Sequence, residues 1–168
     1  DLEKLKTLCD TYNIPLVIDS TFATPYNLDL NPYADIYVES LTKFACGNAD
    51  VLMGAIILNK NSKISHISYE FFKHADEPYI KDIQRMAYQI KGYEKRVKQI
   101  GKNTKELVKY FKTAPFIDEI FYCLQDKYAT NYKKLMIDED SYTGIVSVTF
   151  KKEFAKVYDS LAFAKGPS

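Results

Sequence analysis

Cysteine and histidine are scarce in this chain of 168 residues, which has three of the first and two of the second. Cys9, Cys46 and Cys123 form no CxxC pair and their number is odd, so the sequence predicts neither a disulfide framework nor a zinc site. His66 and His74 have no further ligands at metal spacing, which favours solvated histidines. A reducing compartment, the cytoplasm, is the simplest setting for these thiols.

Long apolar runs and an excess of either charge are also missing. No apolar run approaches the ~18 residues that suggest a membrane span, and no signal peptide is visible. The formal net charge is +1, which gives no electrostatic reason to expect nucleic acid or a membrane as a partner. With 46% hydrophobic and 27% charged residues, the composition is that of a globular protein.

Alternating helical and strand patterns predict an α/β protein. An amphipathic helix over residues 1–12 precedes three short apolar runs. These runs predict neighbouring strands of one sheet, at residues 16–19, 36–38 and 54–59. The first of them, LVID, is expected to be buried, as strands of parallel sheets are. Residues 20–34 contain prolines and asparagines and are predicted to form a loop.

A long helix and a second α/β unit are predicted for the rest of the chain. Apolar residues recur at helical spacing from Ile80 to Phe111, and Pro115 ends the pattern. Two strands and a helix are expected to follow, at residues 117–122, 144–150 and 152–164. We therefore expect a larger domain over residues 1–112 and the beginning of a smaller one over residues 113–168.

Polar clusters follow the first two predicted strands. The first cluster, Asp19-Ser20-Thr21, lies at the end of one strand, and the second, Ser40-Leu41-Thr42-Lys43, follows the other. Ligands of α/β proteins bind at the carboxyl ends of strands, so these side chains are expected to share one crevice. A pyridoxal-phosphate (PLP) site needs such a set: an amine for a Schiff base, a carboxylate for the pyridine nitrogen and hydroxyls for the phosphate. The same residue types are also common in turns and on solvated surfaces, so spacing alone leaves both interpretations open.

Five segments resemble, in the same order, the transsulfuration (Cys/Met metabolism) family of PLP-dependent enzymes. They are VIDSTFATPY at 17–26, ADIYVESLTKF at 34–44, CGNADVLMGAIILN at 46–59, RVKQIGKNTKELVKYF at 96–111 and residues 144–150. The resemblance covers nearly the whole chain. It implies a partial large domain of the fold type I PLP-transferase class, with the long helix joining it to the start of a smaller C-terminal α/β domain.

The resemblance also implies roles for four residues. Lys43 would form the Schiff base with PLP and move the substrate's α-proton, Asp19 would hold the pyridine nitrogen, and Ser40 and Thr42 would hold the phosphate. The implied reaction is elimination or replacement at Cβ or Cγ of a sulfur amino acid, with cystathionine or an activated homoserine as substrate. The four residues serve cystathionine lyase chemistry and cystathionine or homocysteine synthase chemistry alike. The alternative is a non-catalytic or incomplete fragment that folds or pairs with a missing half.

Some positions depart from the family pattern. Glu39 and Asn48 stand where the family commonly has histidine, and Tyr88-Gln89 replace an Arg-Gly pair. The family's phosphate-binding glycine loop, stacking tyrosine and substrate-binding arginine are expected outside this sequence. Family members share active-site residues between subunits, so we expect a dimer or tetramer, or an assembly with a missing chain segment.

Overall fold

A three-stranded sheet, a two-stranded sheet and several helices form the computed structural model, which describes residues 1–64, 70, 72–151 and 154–162. In chain order the elements are α1 (Leu2–Thr11), β1 (Val17–Asp19), α2 (Thr24–Asn27), β2 (Ile36–Ser40), β3 (Gly54–Leu58), α3 (Ile80–Gln89), a 3-10 turn (Ile90–Gly92), α4 (Tyr93–Thr113), β4 (Ile117–Phe121), α5 (Asp126–Lys133), β5 (Ser147–Phe150) and α6 (Phe154–Ser160). Within these described ranges, no helix combines the length and the apolar character that a membrane crossing requires.

The first sheet has the strand order β1-β2-β3, which confirms the prediction that the three apolar runs are neighbours. β1 pairs with β2 in parallel, with Asp19 opposite Val38. β3 returns antiparallel to β2, with Gly54 opposite Ser40. Because β1 and β2 run in the same direction, their carboxyl ends lie side by side at one edge of the sheet.

The prediction that LVID is a buried strand is wrong for this chain. Leu16 is buried, but Val17 in β1 is 51% exposed. The reason is the position of β1 at the edge of the described sheet, where it pairs with β2 on one side only. Its apolar composition therefore suits a strand with further packing partners.

The predicted long helix is divided at Gln89. α3 ends there, the 3-10 turn follows, and α4 begins at Tyr93. The backbone N–H of Tyr93 bonds to the carbonyl of Ile90, while Arg96 Nη2 donates to the carbonyl of Gln89 at 2.9 Å. A side chain that takes a carbonyl from the i→i−4 ladder is a recognised cause of helix breaks, so the single-helix prediction is wrong at this junction.

The second sheet follows α4, as the sequence predicts. β4 and β5 pair antiparallel, with Ile117 opposite Phe150, although β5 begins three residues later than expected. α5 was not predicted, because its residues show no clear apolar stripe. α6 lies within the predicted range of 152–164. The domain division between residues 112 and 113 stays a prediction.

A glycine permits close packing of α4 against the segment that precedes β5. A methyl group at Gly101 would come within 2.1 Å of the Asp140 carbonyl oxygen, so a side chain there requires the backbone to move. Two ion pairs flank this approach: Lys98 with Asp138, and Lys105 with Asp140 at 2.7 Å. α4 therefore packs closely against residues on the C-terminal side of the predicted domain boundary.

Candidate cofactor-binding site

The residues after β1 and β2 are bonded to each other at the carboxyl edge of the sheet. The backbone N–H of Ser20 donates to the Val38 carbonyl at 2.8 Å, and that of Ser40 donates to Thr21 Oγ1 at 2.9 Å. The two polar clusters of the sequence therefore meet here, with Thr21 as the link between them.

Asp19 presents an ionised carboxylate at this edge. Its Oδ1 accepts a hydrogen bond from the Thr21 backbone N–H at 2.9 Å. The hydroxyl and the backbone N–H of Thr21 lower the pKa of Asp19 below its usual range. A carboxylate that stays charged at neutral pH suits contact with a protonated ring nitrogen.

Thr42 lies at the base of the segment that joins β2 to β3, residues 41–53, which we name the lysine loop. Thr42 Oγ1 accepts from the Met53 backbone N–H at 3.2 Å, and the Leu41 N–H donates to the Met53 carbonyl at 2.9 Å. Ser40, half-buried, sits opposite Gly54 where the two strands meet. These bonds fix both ends of the lysine loop against each other.

Three of the four predicted site residues line one cavity of about 1140 Å³. They are Asp19, Ser40 and Thr42, and Thr21 lies among them. The volume exceeds the roughly 300–1,000 Å³ of typical small-molecule sites, so there is space for a cofactor with its substrate. Lys43 follows Thr42 in the chain and is exposed, but it does not line this cavity.

Part of the lysine loop is packed into the hydrophobic core. Ala45, Cys46 and Val51 are all buried, in contact with a cluster of side chains from α3 and α4. The cluster members on these helices are Met86, Tyr93 and Val97. Cys46, with 4% exposure, is thus a packed thiol of this core.

Glu39 is a buried carboxyl beside the site that the sequence did not single out for a role. It accepts a short hydrogen bond from the Tyr93 hydroxyl and lines the same cavity as Asp19. Burial raises the pKa of Glu39, the bond from Tyr93 lowers it, and the negative charge of Asp19 raises it further. Burial and the neighbouring Glu39 also raise the pKa of Tyr93. The only signal in the sequence was the departure from histidine at this position.

The loop after β1 contains a conformation that the sequence did not reveal. Thr24 is buried, begins the short helix α2 and has a positive φ of 53°. The left-handed region costs a β-branched residue about 1–2 kcal/mol, so surrounding contacts must maintain it. One of them is the Thr24 N–H bond to the Ser20 carbonyl at 2.7 Å. The prediction of an unbroken loop over residues 20–34 missed this turn because Pro25 stands at a position that helix starts tolerate.

The structure describes one of the two histidines. His74 is exposed and lines the same cavity as Asp19. His66 lies outside the described residues. Within residues 1–64, 70, 72–151 and 154–162, no group of three potential metal ligands comes together.

The side chains at this edge fit pyridoxal phosphate in kind. The ionised Asp19 suits a pyridine nitrogen that keeps its proton, and the hydroxyls of Ser40 and Thr42 are of the type that binds phosphate. Lys43 supplies a primary amine next to them in the chain. These residues therefore match the amine, the carboxylate and the hydroxyls of such a site, while the phosphate-binding glycine loop implied by the resemblance is expected outside this sequence.

Comparison with known proteins places this chain in a family. The family described as "Cys/Met metabolism PLP-dependent enzyme" matches residues 1–165. The chain belongs to that family, whose members depend on pyridoxal phosphate, and this confirms the resemblance found in the sequence.

Curated relatives and solved structures agree with this assignment. The chain is 34% identical to L-2-amino-4-chloropent-4-enoate dechlorinase/desaturase of Streptantibioticus cattleyicolor and 31% identical to cystathionine gamma-synthase of Saccharomyces cerevisiae, all of it aligned in both cases. It spans 34% and 28% of those proteins, about a third of their length. A methionine gamma lyase of Micromonospora echinospora superposes over the whole chain and 46% of its own, with 22% identity and a TM-score of 0.83. That structure shares the fold, which confirms the predicted partial PLP-transferase architecture.

Proposed function

We propose that this chain carries the cofactor lysine and part of the cofactor site of an enzyme that eliminates or replaces a group at Cβ or Cγ of a sulfur amino acid. The observation that supports this most is that Asp19, Ser40 and Thr42 line one cavity, with Lys43 next to Thr42 in the chain. Membership of a PLP-dependent Cys/Met metabolism family supports the reaction class.

The four residues divide three tasks among them in this proposal. Bound pyridoxal phosphate supplies an electron sink for negative charge at the substrate's Cα. Lys43 holds the cofactor and then moves the α-proton as general base and acid. Asp19 hydrogen-bonds the ring nitrogen and keeps it protonated. Ser40 and Thr42 donate hydroxyl hydrogen bonds to the phosphate.

Cystathionine and an activated homoserine are the proposed substrates. A substrate panel on the PLP-loaded complete protein tests this, with keto acid, thiol and thioether products quantified. A chlorinated amino acid belongs on the panel, because one relative is named a dechlorinase/desaturase. Turnover of at least one of these amino acids, with loss or replacement of its Cβ or Cγ group, is expected. If they only undergo transamination or decarboxylation, the proposed reaction class is wrong.

Asp19→Asn is expected to bind pyridoxal phosphate about ten-fold more weakly and to slow α-proton exchange with solvent deuterium more strongly still. The amide keeps the shape of the side chain but loses the charge that holds the ring nitrogen protonated. Binding is measured by titration and exchange by NMR of the substrate. Asp29→Asn is a matched control, since Asp29 is exposed and accepts a bond from Asn31 in a neighbouring loop. Equal exchange rates in both variants would refute the role of Asp19.

The alternative is that this chain acts only within a larger assembly, which we propose to be a homo-oligomer or a complex with a further chain segment. Large apolar side chains at the sheet and the lysine loop support it: Val17 is 51%, Ile57 46% and Leu52 83% exposed. Exposed apolar area costs about 25 cal/mol per Å² relative to burial, so covering it favours association.

The described cysteines are free, which is in keeping with the proposed cytoplasmic setting.

The isolated 168-residue chain is expected to sediment as dimers or larger species rather than as a monomer. The exposed apolar side chains give the physical reason. Analytical ultracentrifugation over a range of concentrations measures this directly. The control is Leu52→Ser with Ile57→Ser, which is expected to shift the distribution toward smaller species. A compact monomer at all concentrations would contradict the proposed assembly.

A further inference from the structure

The lysine loop is tied to the junction of α3 and α4 by two side chains, Gln89 and Arg96. Neither was among the site residues predicted from the sequence. Gln89 is the last residue of α3, and Arg96 lies in the first turn of α4. Both contact the loop within a few residues of Lys43, and neither lines the cavity that Asp19 lines.

The buried Gln89 side chain bonds three consecutive loop residues at once. Its Oε1 accepts from the backbone N–H groups of Gly47 at 2.7 Å and Asn48 at 3.0 Å, and from the Cys46 thiol at 3.2 Å. Its Nε2 donates to Asp50 Oδ1 at 2.7 Å. A primary amide accepts through its oxygen and donates through its nitrogen without carrying charge, which suits it to bond both the backbone N–H groups and Asp50.

The hydrogen bonds from Gln89 hold a loop conformation that is unfavourable by itself. Ala49 has a positive φ of 54°, a region that costs residues other than glycine about 1–2 kcal/mol. Gln89 bonds the residues on both sides of it, Asn48 and Asp50. These bonds stabilise the turn against the conformations that the backbone would otherwise prefer.

Arg96 fixes the loop closer to the lysine. Its Nε donates to the Phe44 carbonyl at 3.3 Å, and its Nη2 donates to the carbonyls of Ala45 and, at 2.9 Å, of Gln89. A methyl group at Gly47 would come within 3.1 Å of Arg96 Nη1, so glycine leaves space for the guanidinium under the loop. The forked guanidinium thus joins the two residues after Lys43 to the end of α3.

We infer that Gln89 and Arg96 are positioning residues that hold the Lys43 amine in reach of the cofactor. This rests on the proposed role of Lys43. The residues proposed to contact the ring and the phosphate, Asp19, Ser40 and Thr42, are held by other bonds, which they form with Thr21 and Met53. Loosening the Gln89 and Arg96 tethers therefore weakens covalent attachment of the cofactor and leaves its non-covalent binding nearly unchanged.

The test compares two ligands in the complete protein. Pyridoxal phosphate reports covalent attachment, trapped by borohydride reduction and located by mass spectrometry. Pyridoxine phosphate has no aldehyde and reports non-covalent binding, measured by calorimetry. Gln89→Met keeps the length of the side chain and removes its hydrogen bonds; it is expected to lower attachment at Lys43 about ten-fold and pyridoxine phosphate affinity less than two-fold. The matched control, Gln99→Met, removes an exposed glutamine bonded to Asn103 and is expected to change neither.

Arg96→Lys is the second variant, since it keeps the charge and loses the fork. An intermediate loss of attachment is expected, and circular dichroism verifies the fold of each variant. If Gln89→Met does not fold, the same two ligand measurements on Arg96→Lys test the positioning role. Unchanged attachment, or an equal loss of affinity for both ligands, overturns the positioning role. An absence of attachment at Lys43 in the unaltered protein instead overturns the proposed function, and the positioning role with it.

Discussion

Lys43→Ala is expected to abolish covalent attachment of pyridoxal phosphate and to lower turnover in the complete protein by about 10³-fold or more. A positioned general acid–base group contributes roughly 10²–10⁴-fold, and Lys43 is proposed both to hold the cofactor and to move the α-proton. Steady-state kinetics on the substrate found in the panel measures the loss. Lys43→Arg is expected to be as inactive, because the guanidinium keeps its proton and does not act as a nucleophile.

Two controls separate this effect from damage to the fold. Lys60→Ala removes an exposed lysine just after β3 and is expected to keep full activity. Added methylamine is expected to restore part of the proton transfer in Lys43→Ala, because it supplies the missing amine. Activity of Lys43→Ala within ten-fold of the unaltered protein would show that another group does this work.

Asp35→Ala is expected to lower the free energy of unfolding by about 3 kcal/mol. The Asp35 carboxylate is buried and accepts bonds from Lys6 Nζ at 3.0 Å, the Leu16 N–H at 2.8 Å and Ser62 Oγ at 2.6 Å. Asp35 directly precedes β2, and these bonds connect it to α1, to the residue before β1 and to the segment after β3. Its loss leaves an amide and a hydroxyl without their acceptor, and chemical denaturation measures the cost.

Asp10→Ala is the matched control for this prediction. Asp10 bonds the same Lys6 Nζ at 3.1 Å but is 43% exposed, so its removal is expected to cost less than about 0.5 kcal/mol. Equal costs for the two variants would show that Asp35 contributes only a surface ion pair.

The Asp35 contribution also predicts a pH dependence. Burial raises the pKa of Asp35, but the bonds from Ser62, Leu16 and Lys6 outweigh it and hold the pKa below its usual range. A pKa lower in the folded than in the unfolded protein gives stability that is present above the unfolded value, about 3.9, and lost as pH falls through the folded value. The stability difference between the protein and Asp35→Ala should therefore be constant from pH 7 to 5 and shrink below about pH 4.

The sheet could be predicted from the sequence because its strands are short apolar runs with clear ends. The placement of LVID, IYV and GAIILN as neighbours in one sheet followed from these runs, but the antiparallel direction of β3 did not. The exposure of β1 could not be predicted, because burial depends on what packs beside a strand and Val17 lies in the edge strand of the sheet. The break at Gln89 was also invisible, since it arises from a bond between the Arg96 side chain and a backbone carbonyl. Helical periodicity carries no information about such a bond.

The candidate site was likewise predictable from the sequence only in part. Asp19, Ser40, Thr42 and Lys43 were found from motif strings, and the first three line one cavity. The supporting residues are separated from them by long stretches of chain: Gln89 lies 42 residues from Gly47. Only folding brings such partners together, and a buried glutamine looks the same as a solvated one in the sequence.

The most direct test of the central claim is to locate the bound cofactor. The complete protein is loaded with pyridoxal phosphate, reduced with borohydride, digested and analysed by mass spectrometry. Modification of one site, Lys43, that is blocked by excess pyridoxine phosphate is the predicted result. Modification spread over exposed lysines such as Lys60 and Lys95, with no protection by the competitor, would contradict the account.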